Sequence, residues 1–179
     1  MDKREQLIEI ATKLFSKNGF ENTPLSEICE TANVSKGLIS HHFKSKNGLL
    51  REIFMRTTNL IVEINKSDKT NLSAHERLIV LLESFFTQLE SDKLFFHFNL
   101  NMIVQPSTRE ILNDLIKERS SFILKATQSL FDEIDTANSL VMSHMFIAEL
   151  DGIAISYLGI YKDFPLEQIK KHIIKKYTK

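Results

Sequence analysis

The chain has 179 residues, of which 42% are hydrophobic and 26% charged, which suits one large or two small globular domains. A single cysteine, Cys29, excludes an internal disulfide framework, and five glycines with three prolines exclude collagen-like or long loop-rich stretches. The formal net charge of zero is unevenly laid out: residues 33–56 hold five basic side chains to one acidic, residues 57–164 nine to fifteen, and residues 165–179 five to one.

Leu7, Ile8, Ala11, Leu14 and Phe15 recur at helical spacing, and Asn18-Gly19 predicts the exit of a first helix. Thr23 stands where it can cap a second helix, with Pro24 at the first position and Leu25, Ile28, Cys29 and Ala32 as the buried stripe. Asn33 can take the left-handed conformation of a tight turn, with Val34 tucked beneath it. Ser35 then caps a short third helix, Lys36 to about Phe43. On it Ile39 and Phe43 face inward, while Lys36, Gly37, Ser40, His41 and Lys44 face out. Two short helices joined by so brief a turn have helix-turn-helix spacing. A helix that enters the major groove needs this division, with polar donors outside and an apolar anchor within. Gly37 lets the backbone approach a base or phosphate closely. Ser45 caps a fourth helix, about 46–65, whose first amides and Lys46 ammonium would clamp a phosphate. The basic excess over 33–56 fits either a solvated helix face, which charge alone favours, or a polyanionic partner meeting this part of the chain.

After the polar break "NKSDKTNLSAH", Leu78, Leu81, Leu82, Phe85, Phe86 and Leu89 mark a fifth helix. "KLFFHFNLNMIV" is a sixth, ended by Pro106, and a seventh runs from about 107 to 131. An eighth, about 137–162, is apolar on more than one side, and a ninth, about 165–177, begins at Pro165. The fold class is therefore all-α, with about nine helices. On the eighth helix Ala148, Gly152 and Gly159 fall near one line with Val141, Met145 and Ile155. Glycine inside a helix costs about 1 kcal/mol relative to alanine, so two of them imply close helix approach, within the chain or between copies.

Nine of the thirteen phenylalanines lie after residue 80, interleaved with methionines and a few polar groups. Such a pattern is either plain core or the wall of a ligand pocket. The lining candidates are Phe95, Phe98, Met102, Phe122, Met142, Met145, Phe146, Glu149 and Asp151. A carboxylate of Glu149 or Asp151 facing that pocket would favour an apolar molecule with a cationic or donor-bearing end.

His41 and His42 diverge by about 100° on a helix and cannot readily chelate one ion, so no metal is expected. With no Gly-rich phosphate loop, nucleophile elbow or Cys/His motif, neither a cofactor nor an enzyme is expected. No apolar run approaches the roughly 18 residues of a membrane span, and "MDKREQ" has no signal-peptide core. The expectation is a cytoplasmic protein without membrane contact.

The segment "TPLSEICETANVSKGLISHHFKSKNGLL" resembles the DNA-binding signature of the TetR family of transcriptional regulators, and the resemblance extends over about residues 5–55. The "GLISHHF" variant is most similar to the subgroup typified by the choline-responsive repressor. The resemblance implies a three-helix helix-turn-helix DNA-binding domain over residues 1–46. An effector-binding and dimerisation domain would follow over 47–179, with helix 46–65 connecting the two. It implies base-edge contacts near Ser26, Lys36, Gly37 and Ser40, and phosphate contacts near Leu38, His41, His42 and Lys46. It further implies a homodimer through the last two helices, bound to a palindromic double-stranded operator and released by a small-molecule effector. Ser40 and His42 stand where the family often has tyrosine, so the operator is not borrowed from a relative. The alternative reading is a helical ligand-binding protein without sequence-specific DNA binding.

Overall fold

The computed structural model describes residues 2–66 and 71–178; the middle of the polar break after the fourth helix, 67–70, lies outside the described residues. Among the described residues there are nine α-helices and no strand. In order they are α1 (Lys3–Asn18), α2 (Leu25–Ala32), α3 (Lys36–Phe43), α4 (Lys46–Lys66), α5 (Ala74–Ser91), α6 (Lys93–Val104), α7 (Pro106–Asp132), α8 (Ser139–Ile155) and α9 (Leu166–Tyr177). The all-α class and the helix order read from the sequence hold.

Helix ends follow local chemistry. Asp2 caps α1 by accepting from the Arg4 amide, and α1 leaves through Gly19, whose φ of 82° and ψ of 159° suit glycine alone. Thr23 is not the cap of α2. Its hydroxyl is fully buried and donates to Gly19 O (2.8 Å), closing the α1–α2 loop, while Pro24 occupies the cap position. Ser73 and Glu76 close a reciprocal capping box on α5. The last turns of the eighth helix differ from the sequence reading: Ser156–Ile160 is a π-helical turn, closed by Tyr161 N–H donating to Ser156 O (3.1 Å).

Packing divides the chain into two compact units, Met1–Leu60 with Leu94–Lys117, and Ile61–Lys93 with Glu118–Lys179. In the first unit Phe15, Ile28, Ile39, Phe43, Leu49 and Phe54 share one core, and α6 and α7 add Phe98, Met102 and Leu112 to it. Each such side chain contributes about 1.5–3 kcal/mol on burial. An ionic network ties α1 to α4. Arg56 meets Glu5 and Glu52, and Arg4 meets Glu52 at 2.8 Å while its guanidinium lies 5.5 Å from the Phe43 ring centre. The bond from Arg56 holds the Glu5 carboxyl below its ordinary range. Arg51 grips Asp114 of α7 with both guanidinium arms, at 2.7 and 2.6 Å.

In the second unit α5 lies against α9, with Leu78, Leu82, Phe86 and Leu89 buried on α5, and Leu166, Ile173 and Tyr177 on α9. Phe131, Phe146 and Tyr177 meet edge to face or tilted, their ring centres 4.8–5.8 Å apart. Helix α8 buries Ser143, Phe146, Leu150 and Ala154 on one side. On the other side it exposes Val141 (60%), Met145 (52%) and Ile155 (41%). The sequence expectation about membrane spans needs correction: residues 139–160 are long and apolar enough by length and composition to cross one. The average tolerates Glu149 and Asp151, which had broken the run of apolar residues.

Candidate nucleic-acid interface

Helix α3 is bracketed by two residues with positive φ. Asn33 is left-handed (φ 51°, ψ 54°), and the Val34 amide donates back to Cys29 O (2.9 Å), so the turn between α2 and α3 is closed on itself. At the other end Lys44 has φ 66° and ψ −41°, and Ser45 N–H donates to Phe43 O at 2.8 Å. That is a γ-turn of the rarer, positive-φ kind, and a non-glycine residue held there costs about 1–3 kcal/mol. Gly48 accounts for the tightness of this corner. A Cβ on it would stand 1.9 Å from the Phe43 carbonyl oxygen, so α4 starts with its backbone against the end of α3. Ser45 Oγ accepts from the Gly48 amide (3.1 Å), as its cap position predicts.

Between these ends α3 is anchored by Ile39 and Phe43, both buried. Lys36, Gly37, Ser40 and His41 lie exposed together on its outer face, and Ser26 of α2 joins Lys36 around a shallow depression at the α2–α3 turn. A Cβ on Gly37 would meet only Ser35 Oγ, at 3.7 Å, so the fold does not require glycine there. Ser35 caps α3 through its backbone alone, without a side-chain bond.

Three of the DNA-contact candidates are placed differently from the rest. Leu38 is half-buried against the core, and its amide already donates to Ser35 O (3.1 Å). His42 is half-buried between His41 and Phe43, with ring centres at 5.0 and 5.9 Å. Lys46 turns inward: its ammonium donates to Phe20 O (2.5 Å) and lies 4.2 Å from the Phe20 ring centre. Burial lowers its ammonium from the usual lysine range. The cation expected at a phosphate is here a tether between α4 and the α1–α2 loop.

The effector candidates divide between the two units. Phe98 and Met102 are core side chains of the first unit, fully buried beside the first helices. Phe95 belongs to the same unit and is half-buried. In the second unit Phe146 is closed into the ring cluster with Phe131 and Tyr177, and Met145 points to the outside. Phe122 and Met142 are half-buried. Glu149 accepts from Tyr177 Oη (2.6 Å) and from the Lys176 ammonium. Burial alone would raise its carboxyl, but these bonds hold it below the usual range. It lines an open groove between α8 and α9 with Gly152, Ile153, Phe164 and Ile169. Asp151 is exposed, although the apolar helix around it raises its carboxyl above the ordinary value.

Sequence reasoning did not find Gly48, nor the Arg4–Glu5–Glu52–Arg56 network that steadies α1 against α4. Only the i,i+4 pair Glu52–Arg56 leaves a local signal; Glu5 and Arg56 are far apart in the chain.

Residues 7–53 match the model for bacterial regulatory proteins of the tetR family. The chain is similar to the fatty acid metabolism regulator protein of Bacillus subtilis strain 168, 27% identical over 135 residues, covering 75% of this chain and 66% of that protein. It is also similar to the HTH-type transcriptional regulator AcrR of Shigella flexneri, 29% identical over 122 residues, covering 68% of this chain and 51% of that one. The matches thus span about half to two thirds of these relatives' length. Among solved structures, the transcriptional regulator FadR of Bacillus subtilis in complex with stearoyl-CoA superposes with a TM-score of 0.78 at 18% identity, over 97% of both chains. At that identity the likeness establishes the fold.

Proposed function

Because residues 7–53 match the model for bacterial regulatory proteins of the tetR family, we propose that the chain is a cytoplasmic, non-enzymatic transcriptional regulator of that family. It binds a palindromic double-stranded DNA operator as a homodimer and leaves it when a small molecule binds, with repression as the outcome. The reading assigns DNA binding to residues 1–46, and effector binding and dimerisation to 47–179. What carries it is the outer face of α3: Lys36, Gly37, Ser40 and His41 are exposed together on a helix held from behind by Ile39 and Phe43. Lys36 and Ser40 are offered to base edges, with Ser26 beside them; His41 and His42 are offered to the backbone.

The small-molecule switch is supported by the FadR structure, which is that of a regulator holding stearoyl-CoA. In this chain Phe122 and Met142 are the half-buried side chains suited to an apolar wall within the second unit. With Glu149 committed to Lys176 and Tyr177, a cationic end on the effector loses its main support.

The dimer is read from α8. Val141, Met145, Ala148, Gly152, Ile155 and Gly159 recur along one exposed line, and a Cβ on either glycine would meet nothing within 4 Å among the described residues. The close approach those glycines allow is therefore offered to a second copy.

Gly37 gives the sharpest test of the DNA reading. Alanine there improves helix propensity by about 1 kcal/mol, and the fold has room for it. Gly37→Ala is expected to melt at or above the wild-type temperature, yet to shift the upstream intergenic DNA of its own gene only at roughly tenfold higher concentration or more. Wild-type affinity in this variant would remove α3 from the groove. Failure of the wild type itself to shift that DNA ahead of random competitor would favour the ligand-binding alternative.

A further inference from the structure

Resting on the DNA-binding reading above, we propose that Lys44, not Lys46, is the cation that grips the DNA backbone at the exit of α3. The Lys46 ammonium, on a half-buried side chain, donates to Phe20 O at 2.5 Å over the Phe20 ring. Lys44 is exposed, and among the described residues its side chain has no hydrogen-bond or ionic partner. It stands at the exit of α3, directly after Phe43, with its amide still donating to Ser40 O (3.1 Å).

The backbone argues in the same direction. Lys44 sits at φ 66° in a γ-turn that glycine would take without strain. A lysine at such a position strains the fold where a glycine would not, and its exposed side chain makes no contact within the fold that offsets the strain among the described residues. The turn is also held rigidly: Ser45 N–H donates to Phe43 O, the Lys44 amide donates to Ser40 O (3.1 Å), and Gly48 admits the Phe43 carbonyl against α4. A cation on a rigid corner reaches a phosphate with little backbone ordering left to lose. The arrangement divides labour between two lysines one residue apart: Lys46 holds the α1–α2 loop in place, and Lys44 meets the polyanion.

The experiment measures duplex affinity across a salt series for the wild type, Lys44→Gly, Lys44→Gln and Lys46→Met, with melting temperatures alongside. Each lost phosphate contact flattens the plot of log affinity against log salt by about 0.9 per subunit. Lys44→Gly and Lys44→Gln are expected to show that flattening on specific and random DNA alike. Lys44→Gly should also melt about 2–4 °C higher because the strain is relieved, whereas Lys44→Gln should not. Lys46→Met is expected to melt lower and, at temperatures where it is folded, to keep the wild-type slope. An unchanged slope in both Lys44 variants would overturn the assignment, as would a slope lost in Lys46→Met with melting intact. A wild type that shows no salt-dependent DNA binding would overturn the regulator reading and the assignment with it.

Discussion

Gly48→Ala is expected to abolish specific DNA binding and to lower stability by about 2–3 kcal/mol, near the upper end of ordinary overpacking losses. The added methyl would stand 1.9 Å from the Phe43 carbonyl oxygen and 3.1 Å from its carbon, and neither atom can rotate away, because both are backbone. Relief requires the end of α3 to move off α4. That breaks the Ser45 N–H bond to Phe43 O and tilts the Phe43 anchor out of the core it shares with Phe54. A rigid-body shift of about 1 Å at a contact surface is enough to lose orders of magnitude in a geometry-dependent function. Because the chain has no tryptophan, urea unfolding is best followed by circular dichroism, with operator affinity measured in parallel. A wild-type midpoint with wild-type affinity would show that the corner is looser than described.

Gly152→Leu is expected to act in the opposite way, sparing the subunit and breaking the assembly. Within one chain the new side chain meets nothing near its Cβ, and leucine is about 1 kcal/mol better than glycine inside a helix. Between two copies packed along Val141, Met145, Ala148, Gly152 and Ile155, it would hold the helices apart. Sedimentation should show monomers with undiminished helix content. Operator affinity should fall by about 10²-fold or more, because one short recognition helix reads too few base pairs alone. A variant that stays dimeric and binds normally places the seam elsewhere.

Much of α2, α3 and their turns was legible because the signals there are local. Asn33 for a left-handed turn, Ser45 at a helix start and the Ile39/Phe43 spacing each depend on neighbours within one or two helical turns, and the structure has them as read. Thr23 misled because a hydroxyl before a proline can cap forward or donate backward, and the buried loop carbonyl of Gly19 decided the matter. Other serines and threonines donate backward in the same way inside helices: Thr12, Ser16, Thr58, Thr127 and Ser143 bond the carbonyl four residues earlier. Lys46 was read for its charge, whereas Phe20, which captures it, lies 26 residues away and leaves no trace in local spacing. The effector candidates were the least legible. Aromatic density says that a face is buried but not against what, so Phe98 and Met102 could only be sorted once the core was in view. Helix α8 defeated periodicity for a physical reason: it is apolar toward its own unit through Phe146 and Leu150 and apolar outward through Val141 and Met145.

The central claim is that two copies of α3 read one site together, and selection of binding duplexes from a fully randomised pool by the wild-type protein tests it most directly. Two recognition helices carried on a two-fold dimer must enter successive major grooves. The enriched sequences should therefore be inverted repeats whose half-site centres lie about one helical turn, roughly 34–36 Å, apart or a little more. Enrichment of a single unrepeated motif, or no enrichment over the starting pool, would contradict the account.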